Sequence, residues 1–232
     1  MEVLYAAAAS PVPPPVRDFA PEPLLADLLA PDLPSLLALL PHADLYLQDE
    51  VEIALHPTLT RVWCAKGRRG QRAVQTRGRN AKCYGFGAVD WRDGALDWAV
   101  AEGRRAAPLC DQLRRLVARS QERGRVAVVI LDNLSIHTPK GSRLLRQVLA
   151  DLGDNLFLVY TPAYDPDANR IEWLWRAFRQ AVTHNHHRLT LAEVVSDADG
   201  WVRDLTPAQT LAHIGSPFAP ADSPDEDLDH AA

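Results

Sequence analysis

Three carboxylates in this 232-residue chain occupy positions where an acid is either costly or chemically useful. Asp49 shares the parity of Leu45, Leu47, Val51, Ile53 and Leu55. A strand points every second side chain to the same face, so the pattern turns Asp49 toward the covered face and Glu50 and Glu52 the other way. A carboxylate among aliphatic side chains needs a partner or a cation. The plain alternative is a strand end with Asp49 at its rim. Asp132 ends the apolar run Val126–Leu131, with Asn133 and His137 just behind it. Ligand sites in open α/β sheets gather at the carboxyl ends of parallel strands, although an Asp opening a loop also bonds local backbone N–H groups. Glu172 follows Asn169 by three positions, the spacing of a capping box, and precedes Arg176 by four, the spacing of a helical ion pair. For Glu172, spacing alone favours a structural role.

Together the three say more than each does singly. Carboxylates brought to one point repel and raise one another's pKa, and bound cations relieve that repulsion. Carboxylate oxygens with open coordination positions suit Mg²⁺ or Mn²⁺. A pair of such ions could activate a water or a sugar 3′-hydroxyl and stabilise the leaving oxygen of a phosphodiester.

The surrounding pattern supplies elements to position these acids. Residues 44–55 read as a strand, 82–90 as a second and 95–100 as a third, with Asp93-Gly94 as the turn between the last two. Residues 108–122 carry Leu109, Leu113, Leu116 and Val117 on one helical face, and Val126–Leu131 reads as a buried central strand. Thr138-Pro139 opens a helix bearing Leu144, Leu145, Val148, Leu149 and Leu152, and 156–160 is a short apolar strand. A last helix places Ile171, Leu174, Trp175, Phe178 and Val182 on one stripe. The order β-β-β-α-β-α-β-α predicts an α/β fold whose mixed sheet begins as an antiparallel meander and continues with parallel strands and helical crossovers. In that topology the first strand lies beside the one ending at Asp132, and the final helix brings Glu172 onto the same sheet.

Composition narrows the remaining classes. At 47% hydrophobic and 24% charged the chain reads as a globular domain. No run approaches the roughly 18 apolar residues of a membrane helix. The alanines at 6–9 follow no basic region, so a signal peptide is not indicated. Cys64, Cys83 and Cys110 are scattered and form no metal-binding or disulfide pattern, which suits a reducing, cytoplasmic setting. The formal net charge is −5, yet five of the 30 acids lie in the tail 216–232, which has no Lys or Arg. Segment 54–82 holds Arg61, Lys66, Arg68, Arg69, Arg72, Arg77, Arg79 and Lys82 with no acid at all. Such a run can bind phosphates and release counterions, or it can be a solvated basic loop.

At these residues the chain resembles the DDE transposases of the bacterial insertion-sequence-630 family, relatives of the mariner elements. The stretches that carry the resemblance are Leu47-Gln48-Asp49-Glu50-Val51-Glu52-Ile53, His56 to Trp63, Tyr84 to Asp90, Leu131-Asp132-Asn133-Leu134-Ser135-Ile136-His137, Tyr164 to Trp175, and Val182-Thr183-His184-Asn185. They span roughly residues 44–200. The resemblance implies a ribonuclease H-like fold, with Asp49, Asp132 and Glu172 as catalytic acids holding two Mg²⁺ or Mn²⁺ ions. It implies hydrolysis at the ends of a DNA element, then attack of the freed 3′-hydroxyl on target DNA. Asn133 and His137 are auxiliary candidates, and His137 could move a proton, bond phosphate or make a structural hydrogen bond.

The chain also departs from the family. Thr161-Pro162-Ala163-Tyr164-Asp165-Pro166 replaces the usual Pro-Pro-Tyr-Ser-Pro, Arg170 replaces the proline before Ile171, and Asp165 and Asp167 add charge nearby. Relatives carry helix-turn-helix domains ahead of the catalytic one, whereas about 43 residues rich in proline precede the first strand here. The expected organisation is a proline- and leucine-rich leader over 1–40, a catalytic domain over 41–205 with 54–82 as a basic insertion, and a C-terminal segment over 206–232 with an acidic tail. Expected partners are DNA, a separate helix-turn-helix chain and a second copy of this chain, with a nucleoid location when DNA is bound. The rival expectations are a nuclease without strand transfer and an inactive DNA-binding remnant. His184, His186 and His187 read as a surface cluster ahead of a zinc site. Trp175 reads as core, and Trp173 as a residue that could stack on bases.

Overall fold

The computed structural model describes residues 2–5, 42–61, 63, 73–76, 78–161 and 169–216. In chain order the elements are β1 (Glu2–Tyr5), β2 (Ala43–Ala54), β3 (Ala73–Thr76), β4 (Lys82–Asp90), β5 (Leu96–Ala101), α1 (Ala106–Glu122), β6 (Val126–Leu131), α2 (Arg143–Leu152), β7 (Leu156–Tyr160), α3 (Ile171–Phe178), α4 (Leu191–Asp204) and α5 (Pro207–Ile214). A 3₁₀ turn over Ser135–His137 follows β6, and a single π-helical turn over Arg179–Thr183 extends α3. The main sheet runs β5-β4-β2-β6-β7. Its first three strands pair antiparallel and its last two join in parallel, the mixed sheet that the order of elements predicts. β1 and β3 form a separate antiparallel ribbon. That ribbon has no counterpart in the sequence reading, which assigns its two strands to a leader and a basic insertion.

Helices cover both faces of the sheet. On one face Leu45, Leu47, Val51 and Ile53 of β2 pack with Ile171, Leu174, Trp175 and Phe178 of α3 and with Val194 and Ala198 of α4. On the other, Tyr46, Phe86, Val129 and Leu131 pack with Leu109, Leu113 and Leu116 of α1 and with Leu145 and Val148 of α2. β6 lies between β2 and β7 and is buried on both sides, hence its unbroken apolar run. Double coverage also changes the outlook of β2. Glu50 does point away from the Asp49 face, but into a covered layer where it is 4% exposed; of Glu50 and Glu52, Glu52 alone reaches solvent.

Two glycines bring α3 down onto the sheet. Gly87 pairs with Asp49 in the β2–β4 register, and a Cβ there would stand 2.4 Å from the Trp175 ring. At Gly85 a Cβ would meet Trp98 at 1.9 Å. Trp98, Trp175 and Phe178 are mutual neighbours with ring centroids 5.8–5.9 Å apart, a spacing at which tilted and edge-on aromatic pairs attract. Trp175 lies one turn after Glu172, so the bare strip on β4 sets how close that acid comes to β2. Gly87→Ala should destabilise the domain by about 1–3 kcal/mol through overpacking, read as a lower urea midpoint with a changed tryptophan near-ultraviolet dichroism. An unchanged midpoint would mean that the Trp175 contact is not what seats α3.

The segment that the sequence places after the domain also joins this core. Leu211 and Ile214 of α5 are buried against it, and the Ser216 hydroxyl donates to the Trp91 carbonyl at 2.8 Å. Arg170 explains its own departure from proline. Its Nη1 donates to the Gly215 carbonyl at 3.1 Å and to the Ile214 carbonyl at 3.4 Å, which places a cation at the negative end of α5. Its guanidinium also lies over Trp173, 5.0 Å from the ring centroid.

Candidate active site

The three carboxylates come from three separate elements. Asp49 sits in the middle of β2 on the face beneath α3, Asp132 follows the last residue of β6, and Glu172 is in the first turn of α3. β2 and β6 are adjacent and parallel, with Leu47 opposite Ile130, so Asp49 and Asp132 emerge at the same end of the sheet. Asn169 brings in the third. Its side-chain amide donates to the Gln48 carbonyl at 2.7 Å and fastens the start of α3 to the residue before Asp49.

Electrostatics report the convergence. The Asp49 carboxyl is pushed well above the usual carboxylate range, first by burial and then by the charges of Glu172, Glu50 and Asp132. The Glu50 backbone N–H that bonds it works in the opposite direction. Asp132 behaves differently. Burial would raise it, but the His137 hydrogen bond, the Leu134 backbone N–H and the positive charges of His137 and Arg104 together hold it below its usual value.

His137 is the hub of a buried network that spacing did not disclose. Its side chain is 0% exposed, with Nδ1 2.5 Å from Asp132 Oδ1 and Nε2 2.9 Å from Glu50 Oε1. Burial opposes protonation, yet the two carboxylates outweigh it and lift the imidazole to about 9. Glu50 also accepts from Gln48 Nε2 at 3.0 Å and faces Arg104 Nε at 3.7 Å. Of the roles open to His137, the structure shows the hydrogen-bonding one: both ring nitrogens are engaged within the protein. Asn133 is similarly engaged, donating its amide to the Thr161 carbonyl at 2.6 Å across the ends of β6 and β7. Glu50 and Arg104 were missed as site residues. Adjacency to Asp49 is the one signal for Glu50, and nothing in the pattern marks Arg104.

Glu172 is released from both structural roles that its spacing allows. Arg170 is the residue at the N-cap of α3 and no side-chain cap bond forms, so the expected capping box is absent. Asn169 Nδ2 goes to β2, and its Oδ1 accepts from the Ile171 amide at 3.4 Å rather than from Glu172. The Glu172 carboxylate pairs with Arg179, seven residues on, at 2.9 Å, rather than with Arg176. Positions seven apart stand on one face of a helix about two turns distant, and the long Arg179 side chain reaches back over that distance.

Among the described residues no group of three His, Cys, Asp or Glu side chains is gathered closely enough to hold a metal ion. Asp132 is paired with His137 and Glu172 with Arg179, while Asp49 has no cationic partner among the described ion pairs. Of the basic candidates, Arg61 and Arg79 are exposed. Lys82 is partly neutralised by Glu52 across the strand pair at 2.9 Å. Lys66, Arg68, Arg69, Arg72 and Arg77 lie outside the described residues, as do Asp165 and Asp167. Trp175 is fully buried, as its stripe requires. Among the described residues no helix is long and apolar enough to cross a membrane.

This arrangement has known counterparts. A family model described as DDE superfamily endonuclease matches residues 44–194. An insertion element IS630 uncharacterized 39 kDa protein of Shigella sonnei is 27% identical over 164 residues, which cover 70% of this chain and 45% of that protein. The chain thus spans less than half the length of this curated relative. The Mos1 transposase paired-end complex with left transposon end aligns with a TM-score of 0.56 at 19% identity, over 75% of this chain and 52% of that one. The mariner Mos1 paired end complex with Mg aligns with a TM-score of 0.57 at 18% identity, over the same shares. These structures share the fold, a ribonuclease H-like core. With well over half of its length matched by the family model, the chain belongs to the DDE superfamily endonucleases.

Proposed function

We propose that this domain cleaves DNA phosphodiester bonds at the ends of a mobile element and joins the freed 3′ ends to target DNA, using divalent cations held by Asp49, Asp132 and Glu172. The observation that carries this reading is the concentration of negative charge on Asp49, whose carboxyl is raised by burial, Glu172, Glu50 and Asp132 together. Asp132 and Glu172 have cations within the protein, whereas Asp49 has none among the described ion pairs, and a buried carboxylate so placed is a demand for a cation. The donor set fits a hard one, being all carboxylate oxygen.

Bound there, Mg²⁺ or Mn²⁺ would ease deprotonation of an attacking water or 3′-hydroxyl and stabilise the leaving oxygen. The chain's own contribution is orientation. His137, braced by Glu50, holds the Asp132 carboxylate ionised and in one rotamer, the task of outer residues around a metal ligand. Asn169 and the Trp175–Gly87 contact hold Glu172 over β2. The exposed arginines at 61 and 79 belong to the basic stretch that would lie along the DNA backbone, which positions a duplex without reading its sequence. End recognition then falls to another chain or domain bearing a helix-turn-helix, and pairing of two element ends to a second copy of this chain.

The test is incubation with a duplex carrying the element's own end, with Mg²⁺, with Mn²⁺ and with chelator, together with any helix-turn-helix partner. Cleaved and joined products that depend on the metal are expected. Cleavage without joined product would reduce the activity to that of a nuclease. Metal-independent cleavage would overturn the role given to the acids.

A further inference from the structure

We propose that the cleft beside the far end of α3 is a phosphate site for the DNA backbone, distinct from the three carboxylates and reaching them through Arg179. It encloses about 580 Å³ and is lined by Arg61, Arg176, Arg179, Gln180, His184 and Asn185, with Thr60 at its edge. Three arginines line it, and among the described residues no acid does. Arginine's planar fork suits phosphate oxygens in pairs.

The walls are built rather than incidental. The chain leaving β2 is stitched to the chain leaving α3: the Thr58 amide donates to the Thr183 carbonyl at 3.1 Å, and the Asn185 amide to the Thr58 carbonyl at 3.1 Å. The Thr60 amide donates to Asn185 Oδ1 at 3.0 Å, and Asn185 Nδ2 donates to the Thr60 hydroxyl at 2.8 Å. Asn185 adopts φ 48° to make these bonds, a left-handed conformation that Asn tolerates better than most residues. The clasp fixes the chain before Arg61 to the chain after α3, and Arg61, Arg176 and Arg179 line the same cleft. The field inside is positive: the His184 imidazole is pushed below its usual value by burial and by the charge of Arg179.

Position decides the ligand. Arg179 contacts Glu172 at 2.9 Å, so an anion in the cleft lies one side chain away from the candidate reacting centre. A DNA strand crossing that centre would set a neighbouring phosphate there. The inference rests on the DNA reading of the preceding section, and its test is kept independent of cleavage.

The measurement is fluorescence anisotropy of a labelled duplex titrated with the full chain in chelator, over a range of salt. Arg61→Gln is expected to weaken binding about tenfold and to lower the slope of log K against log salt by about one. Arg143→Gln removes an exposed charge on α2, on the opposite face of the sheet, and serves as the control. Equal effects of the two substitutions, or no effect of Arg61→Gln, would overturn the site. So would a wild type that binds no duplex, or a decaglutamate peptide that competes as well as DNA. If the Arg61 effect is present while metal-dependent cleavage is absent, the cleft stands and the catalytic reading fails; the reverse result removes the cleft, and with it the backbone role of Arg61, and leaves the catalytic reading.

Discussion

Asp49→Asn is expected to lower metal-dependent DNA cleavage by about 10³-fold while leaving the metal-free fold at least as stable as wild type. The first half follows from losing a ligand whose ion supplies several kcal/mol of transition-state stabilisation. The second half follows from the raised Asp49 carboxyl. Below the usual carboxylate range both folded and unfolded chains hold the proton, and the group contributes nothing. As pH rises through that range the unfolded chain ionises first, so stability falls until folded Asp49 ionises as well. Asn removes that loss. In chelator the variant's gain in urea midpoint should be nil at acid pH and should grow toward neutral pH. Asp132 offers the contrast, because its carboxylate is bonded by His137 and by the Leu134 amide. Asp132→Asn should cost stability as well as cleavage. Wild-type cleavage by Asp49→Asn would sink the assignment, and a loss of stability at neutral pH would show that Asp49 is a structural acid.

The second large effect is on folding. Arg123→Ala should destabilise the domain by about 3–5 kcal/mol, the usual result of removing one partner from a buried ion pair. Asp44 at the start of β2 and Asp90 at the end of β4 are both 0% exposed. Arg123 spans them, with Nη1 2.7 Å from Asp90 and 3.3 Å from Asp44, and its Nη2 reaches Asp93 at 2.7 Å. Arg125 gives Asp44 a second cation at 3.0 Å, but Asp90 has no other cationic partner among the described ion pairs. Burial already holds the Asp90 carboxyl above its usual value despite Arg123. By comparison Arg114→Ala, which breaks an exposed pair with Asp111, should cost no more than about 1 kcal/mol. Urea unfolding of the two variants decides the matter: similar losses would mean that the buried cluster holds nothing together. The cluster also bears on the site. It pins the ends of β2 and β4, and a slip of one residue between them would carry Asp49 to the opposite face.

Periodicity and order revealed a large part of this protein. The alternation of Leu45, Leu47, Val51 and Ile53 places Asp49 on the α3 face, where it lies. The unbroken run Val126–Leu131 marks the central strand, and Asp132 stands at its end. The stripe from Ile171 to Val182 is the buried face of α3 and its π-helical extension. These are properties of neighbouring residues, and the 2.0 and 3.6 periods of strand and helix translate them directly into faces.

Tertiary structure decided what those faces meet. The spacing of Asn169 and Glu172 fits a capping box, yet Asn169 bonds Gln48, 121 residues away, and leaves Glu172 to Arg179. Glu50 reads as the outward neighbour of Asp49, yet a second helical layer buries it against His137. Each outcome depends on a partner far along the chain, and no local period encodes which distant group will arrive. The sequence by itself therefore determined where the three carboxylates stand along the chain and, for Asp49, which face it takes. Only the fold decided that Asp49 bears the repulsion while Asp132 and Glu172 are each held by a cation, because charge interaction depends on distance through space and not along the sequence.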